Sequence, residues 1–142
     1  MRNKIRKACF ETNSSSVHSI VVSAEGMEES KLHVDDDGYI PVNYGEFGKE
    51  LHIYNTQEDK LSYLVSLCYY LGGEDSWEFE TLNDVIRKYT GTNGIKITGG
   101  EPDIDHQSQP DYGSDAVVNL YDGDAIRQFV FNKYVSLKTD CD

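Results

Sequence analysis

The 142-residue chain is poor in the features that would place it in several familiar classes. It has no long apolar run, so no segment is expected to span a membrane. Arg2, Lys4, Arg6 and Lys7 resemble the start of a secretion signal, but Glu11 and Asn13 stand where the apolar part would have to be. A cytoplasmic location is therefore expected. There are only three cysteines, Cys9, Cys68 and Cys141, an odd number and widely separated. That excludes a disulfide framework and gives no zinc-ligand spacing; Cys68 falls in a helical apolar pattern and reads as core. The four histidines, His18, His33, His52 and His106, lack the His-x-x-x-His interval of a metal site. No metal and no cofactor is expected.

Basic residues are scarce and unevenly placed. Four of the 13 lie within the first seven positions, against 25 acids, and the net charge is -12. Between Lys96 and Arg127 there is no Lys or Arg, while Glu101, Asp103, Asp105, Asp111, Asp115, Asp122 and Asp124 all fall there. Such a field repels nucleic acid, so direct DNA binding is not expected, and it attracts basic surfaces. High acidity also serves solubility alone, and the two readings stand side by side.

What is present is enough for folding. With 38% hydrophobic and 11% aromatic residues, the chain can bury a core as one domain spanning 1–142. Residues 4 to 10 and 17 to 23 read as strands around a polar turn, an N-terminal hairpin over 1–23. Asp35-Asp36-Asp37-Gly38, between Leu32-His33-Val34 and Tyr39-Ile40-Pro41-Val42, predicts a second hairpin. Leu51 to Tyr54 predicts a strand. Asn55 or Thr56 caps a helix with Glu58 and Asp59 in its first turn, Leu61, Leu64, Val65, Cys68 and Leu71 inward, and Gly72-Gly73 as its stop. A second helix runs from Thr81 or Leu82 to Tyr89 and ends at Gly91. Ile95 to Thr98 is a short strand, 99–115 a long acidic loop, and Val117 to Tyr121 a further strand. Asp124 caps a last helix with Ile126, Phe129 and Val130 inward, and the tail 136–142 is expected to fray. The fold class is α+β, a single domain with an antiparallel or mixed sheet and two or three helices packed on one face.

The most unusual stretch is Phe10-Glu11-Thr12-Asn13-Ser14-Ser15-Ser16-Val17-His18-Ser19. Together with Lys4-Ile5-Arg6-Lys7 it resembles the amino terminus of a group of small, mostly uncharacterised proteins of bacteriophages and mobile elements. Gly45-Glu46-Phe47-Gly48 and Lys60-Leu61-Ser62-Tyr63-Leu64 carry a second likeness. The resemblance implies a phage setting and no particular reaction.

Four places could carry chemistry. In a strand, Ser16 and His18 point to one face, as a nucleophile and its base would, and they are the catalytic candidates; no glycine-framed nucleophile elbow or third orienting residue accompanies them. Hydroxyls and amides also bond neighbouring backbone, so Thr12 to Ser16 equally read as a turn support. No catalytic residue is assigned. Asp35, Asp37 and Gly38 match part of a calcium loop, which fails at its ends on His33 and Tyr44. Gly91-Thr92-Asn93-Gly94 and Gly99-Gly100 could approach a phosphate, but the first lacks the lysine of a P-loop and reads as a turn.

The fourth place is the acidic and aromatic surface. The chain has 10 Tyr, several beside acids or in loops, among them Tyr39, Tyr44, Tyr112 and Tyr121. Carboxylates spaced along a loop can occupy the positions of DNA phosphates in a basic groove, and tyrosine supplies interface area. The leading expectation is an acidic phage-type protein that binds and inhibits a host nucleic-acid-binding protein or nuclease complex, as an anti-CRISPR or anti-restriction inhibitor does, by mimicking DNA. Its partner-binding residues are Glu101, Asp103, Asp105, Asp111, Tyr112 and Asp115. The alternative is an enzyme or small-ligand binder with a site on Glu11, Asn13, Ser14, Ser15, Ser16 and His18. A virion or assembly component is the third. Oligomeric state is not legible in the sequence.

Overall fold

Three helices, each started by a side-chain cap, supply most of the core of the computed structural model, which describes residues 26–47, 52–104 and 119–139. Helix α1 (Gln57–Tyr70) begins where Thr56 Oγ1 accepts the Asp59 N–H at 3.1 Å, with Glu58 and Asp59 in the first turn as expected. It is buried on nearly every side, including Leu61, Tyr63, Leu64, Val65, Leu67 and Cys68, which makes it the central element.

Helix α2 (Trp77–Thr90) starts earlier than its apolar spacing predicted. The cap is Ser76, whose Oγ accepts from the Phe79 N–H and donates to the Gly73 carbonyl. Phe79, Leu82 and Ile86 are its buried residues, three and four apart, so Phe79 in the first turn extends the apolar spacing one turn ahead of the expected start at Thr81 or Leu82. Gly91 ends it in the left-handed region at φ 72°, as expected. Helix α3 (Gly123–Phe131) is capped by Asp122, not Asp124: Asp122 Oδ1 takes the N–H groups of Asp124 and Ala125. Ile126, Phe129 and Val130 face inward as predicted. A side chain at Gly123 would lie 3.2 Å from Val85 Cγ2, so α3 starts close against α2.

The strands are short and come in three pairs. β1 (Ile40–Asn43) runs parallel to β4 (Ile95–Gly99), with Ile40 beside Ile95 and Val42 beside Ile97. β2 (Glu46–Phe47) runs parallel to β5 (Asp103–Ile104), and β3 (His52–Tyr54) antiparallel to β6 (Leu137–Thr139). Parallel partners need a crossover, and α1 and α2 lie between them in the chain. This is the expected single α+β domain, with three α-helices and short strands among the described residues.

Several boundaries are corrected. Asp35 to Gly38 do form a turn, in which Asp35 Oδ1 accepts the N–H groups of Asp37 and Tyr39. Those bonds hold the Asp35 carboxyl below its ordinary range, the Tyr39 N–H most of all. Leu32 to Val34 form no strand, however, and β1 pairs with β4 in place of a hairpin partner. The predicted acidic loop contains β5, and the tail expected to fray contains β6, because β2 and β3 offer them backbone partners. Residues 119–121 form a turn into α3, not a strand. Gly91 to Gly94 form the helix-to-strand turn expected, with Asn93 Nδ2 donating to the Asp37 carbonyl. The N-terminal hairpin over 1–23 lies outside the described residues.

Polar groups on α1 tie irregular segments to the core. Gln57 accepts the Lys31 N–H and donates to the Glu29 carbonyl. Ser62 donates to the Asn43 carbonyl and Ser66 accepts the Gly45 N–H. Lys60, only 1% exposed, donates from Nζ to the carbonyls of Asn132 (3.1 Å) and Val135 (2.7 Å), with the Phe129 ring alongside at 5.8 Å.

Burial pushes the Lys60 ammonium down from its usual 10.5 to about 8, against the pull of Glu28. Between those values the unfolded chain holds more protons than the folded one, so this group's contribution to stability rises with pH across that window. The buried Cys68 thiol, pushed up to about 12 from 9.0, acts in the opposite sense above pH 9, and comparison with a Lys60 variant cancels it. Lys60→Met should lower stability near neutral pH by about 2 kcal/mol, through loss of two buried hydrogen bonds. In urea titrations the gap from the parent should widen between pH 8 and 10; a gap independent of pH would contradict the assignment. Tyr63 presents the converse case, with a fully buried hydroxyl that has no hydrogen-bond partner among the described residues. Tyr63→Phe should therefore leave stability unchanged or raise it by about 1 kcal/mol in the same titration.

Candidate partner-binding surface

The segment from β4 to β5 bears the two described members of the predicted acidic set, Glu101 and Asp103. Asp105, Asp111, Tyr112 and Asp115 lie outside the described residues, as do Glu11, Asn13, Ser14, Ser15, Ser16 and His18 of the alternative site. The segment is held from two sides. Tyr44 N–H bonds the Gly99 carbonyl at 2.9 Å, and Asp103 N–H bonds the Gly45 carbonyl at 3.0 Å. From α1, Tyr70 Oη donates to the Pro102 carbonyl at 3.2 Å and accepts the Ile104 N–H at 3.4 Å. Gly100, at φ +84°, passes so close to Tyr44 that an added Cβ would sit 2.4 Å from the Tyr44 carbonyl oxygen. Only glycine fits there.

This bracing brings carboxylates and aromatics together. β2 and β5 align Glu46 with Asp103, two acids alongside each other, and Glu101 is exposed two residues earlier. Behind them Tyr44, Tyr69 and Tyr70 stand edge to face, with centroids 5.4 and 5.5 Å apart in succession. Tyr69 is 50% exposed. Partial burial pushes the Tyr44 phenol above its ordinary range, and the Glu74 carboxylate adds to the effect, which places Glu74 within electrostatic reach of the row. Glu46 and Glu74 were not singled out in the sequence, because only the parallel pairing brings Glu46 to Asp103 and only the turn after α1 brings Glu74 within reach of Tyr44.

A second aromatic pair joins the starts of α2 and α3. Trp77 and Tyr121 meet edge to face at 5.3 Å, and Tyr121 Oη donates to the Glu78 carboxylate. That bond, donated to a carboxylate, pushes the Tyr121 phenol above its ordinary range. Tyr121 stood among the tyrosines noted beside acids; Trp77 was missed, although it is the chain's one tryptophan and directly follows a serine suited to capping.

The described cations are largely engaged. Lys31 pairs with Glu28, Arg87 and Lys88 both reach Asp84 at 3.0 Å, Arg127 pairs with Asp124, and Lys60 is interior. A cleft of about 390 Å³ between α2 and α3 is lined by several of these paired groups, Asp84, Lys88 and Arg127, together with Val85 and Tyr89. Among the described residues no group of three or more His, Cys, Asp or Glu could hold a metal ion, and no helix is long and apolar enough to cross a membrane. Comparison of the chain with protein-family models, curated proteins and solved structures finds no match.

The bracing can be tested at its tightest point. Gly100→Ala should lower stability by about 2 kcal/mol, from left-handed strain together with the clash at Tyr44. Gly73→Ala, at φ +78° but with nothing within 4 Å of the added methyl, should cost less. Equal losses in thermal denaturation would show that the close approach of Gly100 to Tyr44 is not a constraint.

Proposed function

We propose that the protein acts by binding a basic, nucleic-acid-handling protein of a bacterial host, and that its carboxylates take the places of DNA phosphates, as in an anti-CRISPR or anti-restriction inhibitor. The observation that carries this reading is the side-by-side placement of Glu46 and Asp103, two residues from Glu101, with Tyr70 bonded to the Pro102 carbonyl and the half-exposed Tyr69 stacked edge to face on it. The net charge of -12 supports it in two ways: it draws cationic surfaces together with the protein from a distance, and it repels nucleic acid itself. The tyrosine row supplies contact area of the kind that anchors interfaces, with little conformational entropy to lose. The phage-like wording of Phe10 to Ser19 is what directs the proposal to a host partner.

The test is capture of partners from bacterial lysate on the tagged protein at low and at moderate salt, beside a variant combining Glu46→Gln, Glu74→Gln, Glu101→Gln and Asp103→Asn. A nucleic-acid-binding protein is expected on the parent, released by salt and displaced by duplex DNA. The variant should retain its thermal stability and bind that partner about tenfold more weakly, since charge pairs at an interface rim contribute modestly one by one. Capture that is insensitive to both salt and the four substitutions would refute the proposal.

A further inference from the structure

The Trp77 and Tyr121 pair has no role in the core, yet it is held in place. Trp77 is 67% exposed and Tyr121 61%. Trp77 occupies the first position of α2, directly after the Ser76 cap, and Tyr121 directly precedes the Asp122 cap of α3. Tyr121 is fixed at both ends: its N–H donates to Asn119 Oδ1 at 2.9 Å and its hydroxyl to Glu78 Oε2. Two large rings on the starts of two packed helices are already ordered, so a ligand meeting them loses little further freedom.

Their surroundings are anionic. Asp75, Glu78 and Glu80 lie in and before the first turn of α2, and Asp122 and Asp124 at the start of α3; Arg127 on α3 is held by Asp124. Exposed aromatic faces within a field of carboxylates suit a group that is planar, cationic and rich in donors. Guanidinium has all three properties: it stacks on rings while its N–H groups reach carboxylates, whereas an ammonium is a compact, strongly hydrated charge. A second copy of this chain would bring like charge against like. A membrane bearing anionic lipid would be repelled in the same way.

We infer that Trp77 and Tyr121, with Glu78 beside them, seat an arginine side chain of the basic partner. The inference rests on the reading of the protein as a binder of basic partners and adds a second contact, separate from the Glu46 and Asp103 surface. The arginine lies against the indole and phenol rings, and the Glu78 carboxylate faces its charge.

Because Trp77 is the chain's one tryptophan, its emission reports the seat directly. A short peptide alternating Arg and Gly, and its Lys counterpart, are titrated into the full-length protein and followed by tryptophan fluorescence and by calorimetry. The Arg peptide is expected to change the emission saturably and to bind several-fold more tightly than the Lys peptide. Tyr121→Ala, read by fluorescence, and Trp77→Ala, read by calorimetry, should each weaken it about three- to tenfold. Both variants should keep the parent's melting temperature, since neither ring is core. Binding that is lost in the Glu46, Glu74, Glu101 and Asp103 variant but unaltered in Trp77→Ala and Tyr121→Ala would overturn the seat and leave the proposed function standing. No binding of either peptide would count against both. A parent dimer that becomes a monomer in Trp77→Ala, measured by sedimentation, would instead assign the pair to self-association and overturn the inference.

Discussion

The buried Lys60 ammonium is the interaction on which the arrangement of the C-terminal third depends. Its two carbonyl acceptors, Asn132 and Val135, lie in the turn between α3 and β6, a stretch with little ladder bonding of its own. A charge with so little exposure is costly to bury unless its donors are used, and here they satisfy backbone that would otherwise need another partner. The same turn is bound from outside: Glu28 N–H reaches the Phe131 carbonyl, Lys133 N–H the Gly26 carbonyl, and Tyr89 Oη the Glu28 carbonyl. Inside it, Asn132 Nδ2 donates to Gln128 Oε1. Lys60 thus links the central helix to a polar network that sets where β6 can meet β3.

The serines and glutamine of α1 extend the same principle to the other side of the molecule. Short strands supply few backbone bonds, and side chains from a well-formed helix make up the difference at Asn43, Gly45, Lys31 and Glu29. One consequence reaches the proposed binding surface. Ser66 and Tyr70 sit one turn apart on α1, and between them they hold Gly45 and the Pro102 to Ile104 backbone, so the alignment of Glu46 with Asp103 is built from the helix outward. The surface is therefore as ordered as the core element that carries it.

Acid at helix starts has a structural use as well as a surface one. All three helices carry carboxylates in the first turn, where the helix dipole favours them. Only α2 among them has basic residues in its last turn, Arg87 and Lys88. Negative charge is thereby gathered at helix starts, which is where Trp77 and Tyr121 also stand. Local stability and attraction for a basic partner draw on the same residues.

The amino-acid sequence by itself determined the helices, because cap chemistry and 3.6-residue spacing are local: Thr56, Gly91, and the inward Leu61, Leu64, Ile126 and Phe129 all stand where they were read. It also determined the acidity and the tight turn at Asp35. Its errors at helix starts, Asp124 for Asp122 as a cap and Thr81 or Leu82 for Trp77 as a first residue, lie where the Asp122 and Ser76 caps were passed over for a later candidate. Only the tertiary structure decided the strand partners. Two- to five-residue strands carry too little pattern to specify a register, and their mates, Glu46 with Asp103 or Tyr54 with Leu137, are separated by whole helices. The surface that depends on those pairings, with Glu46 aligned to Asp103 and Tyr69 packed between Tyr44 and Tyr70, could be read only once the chain had folded, because nothing local places them together.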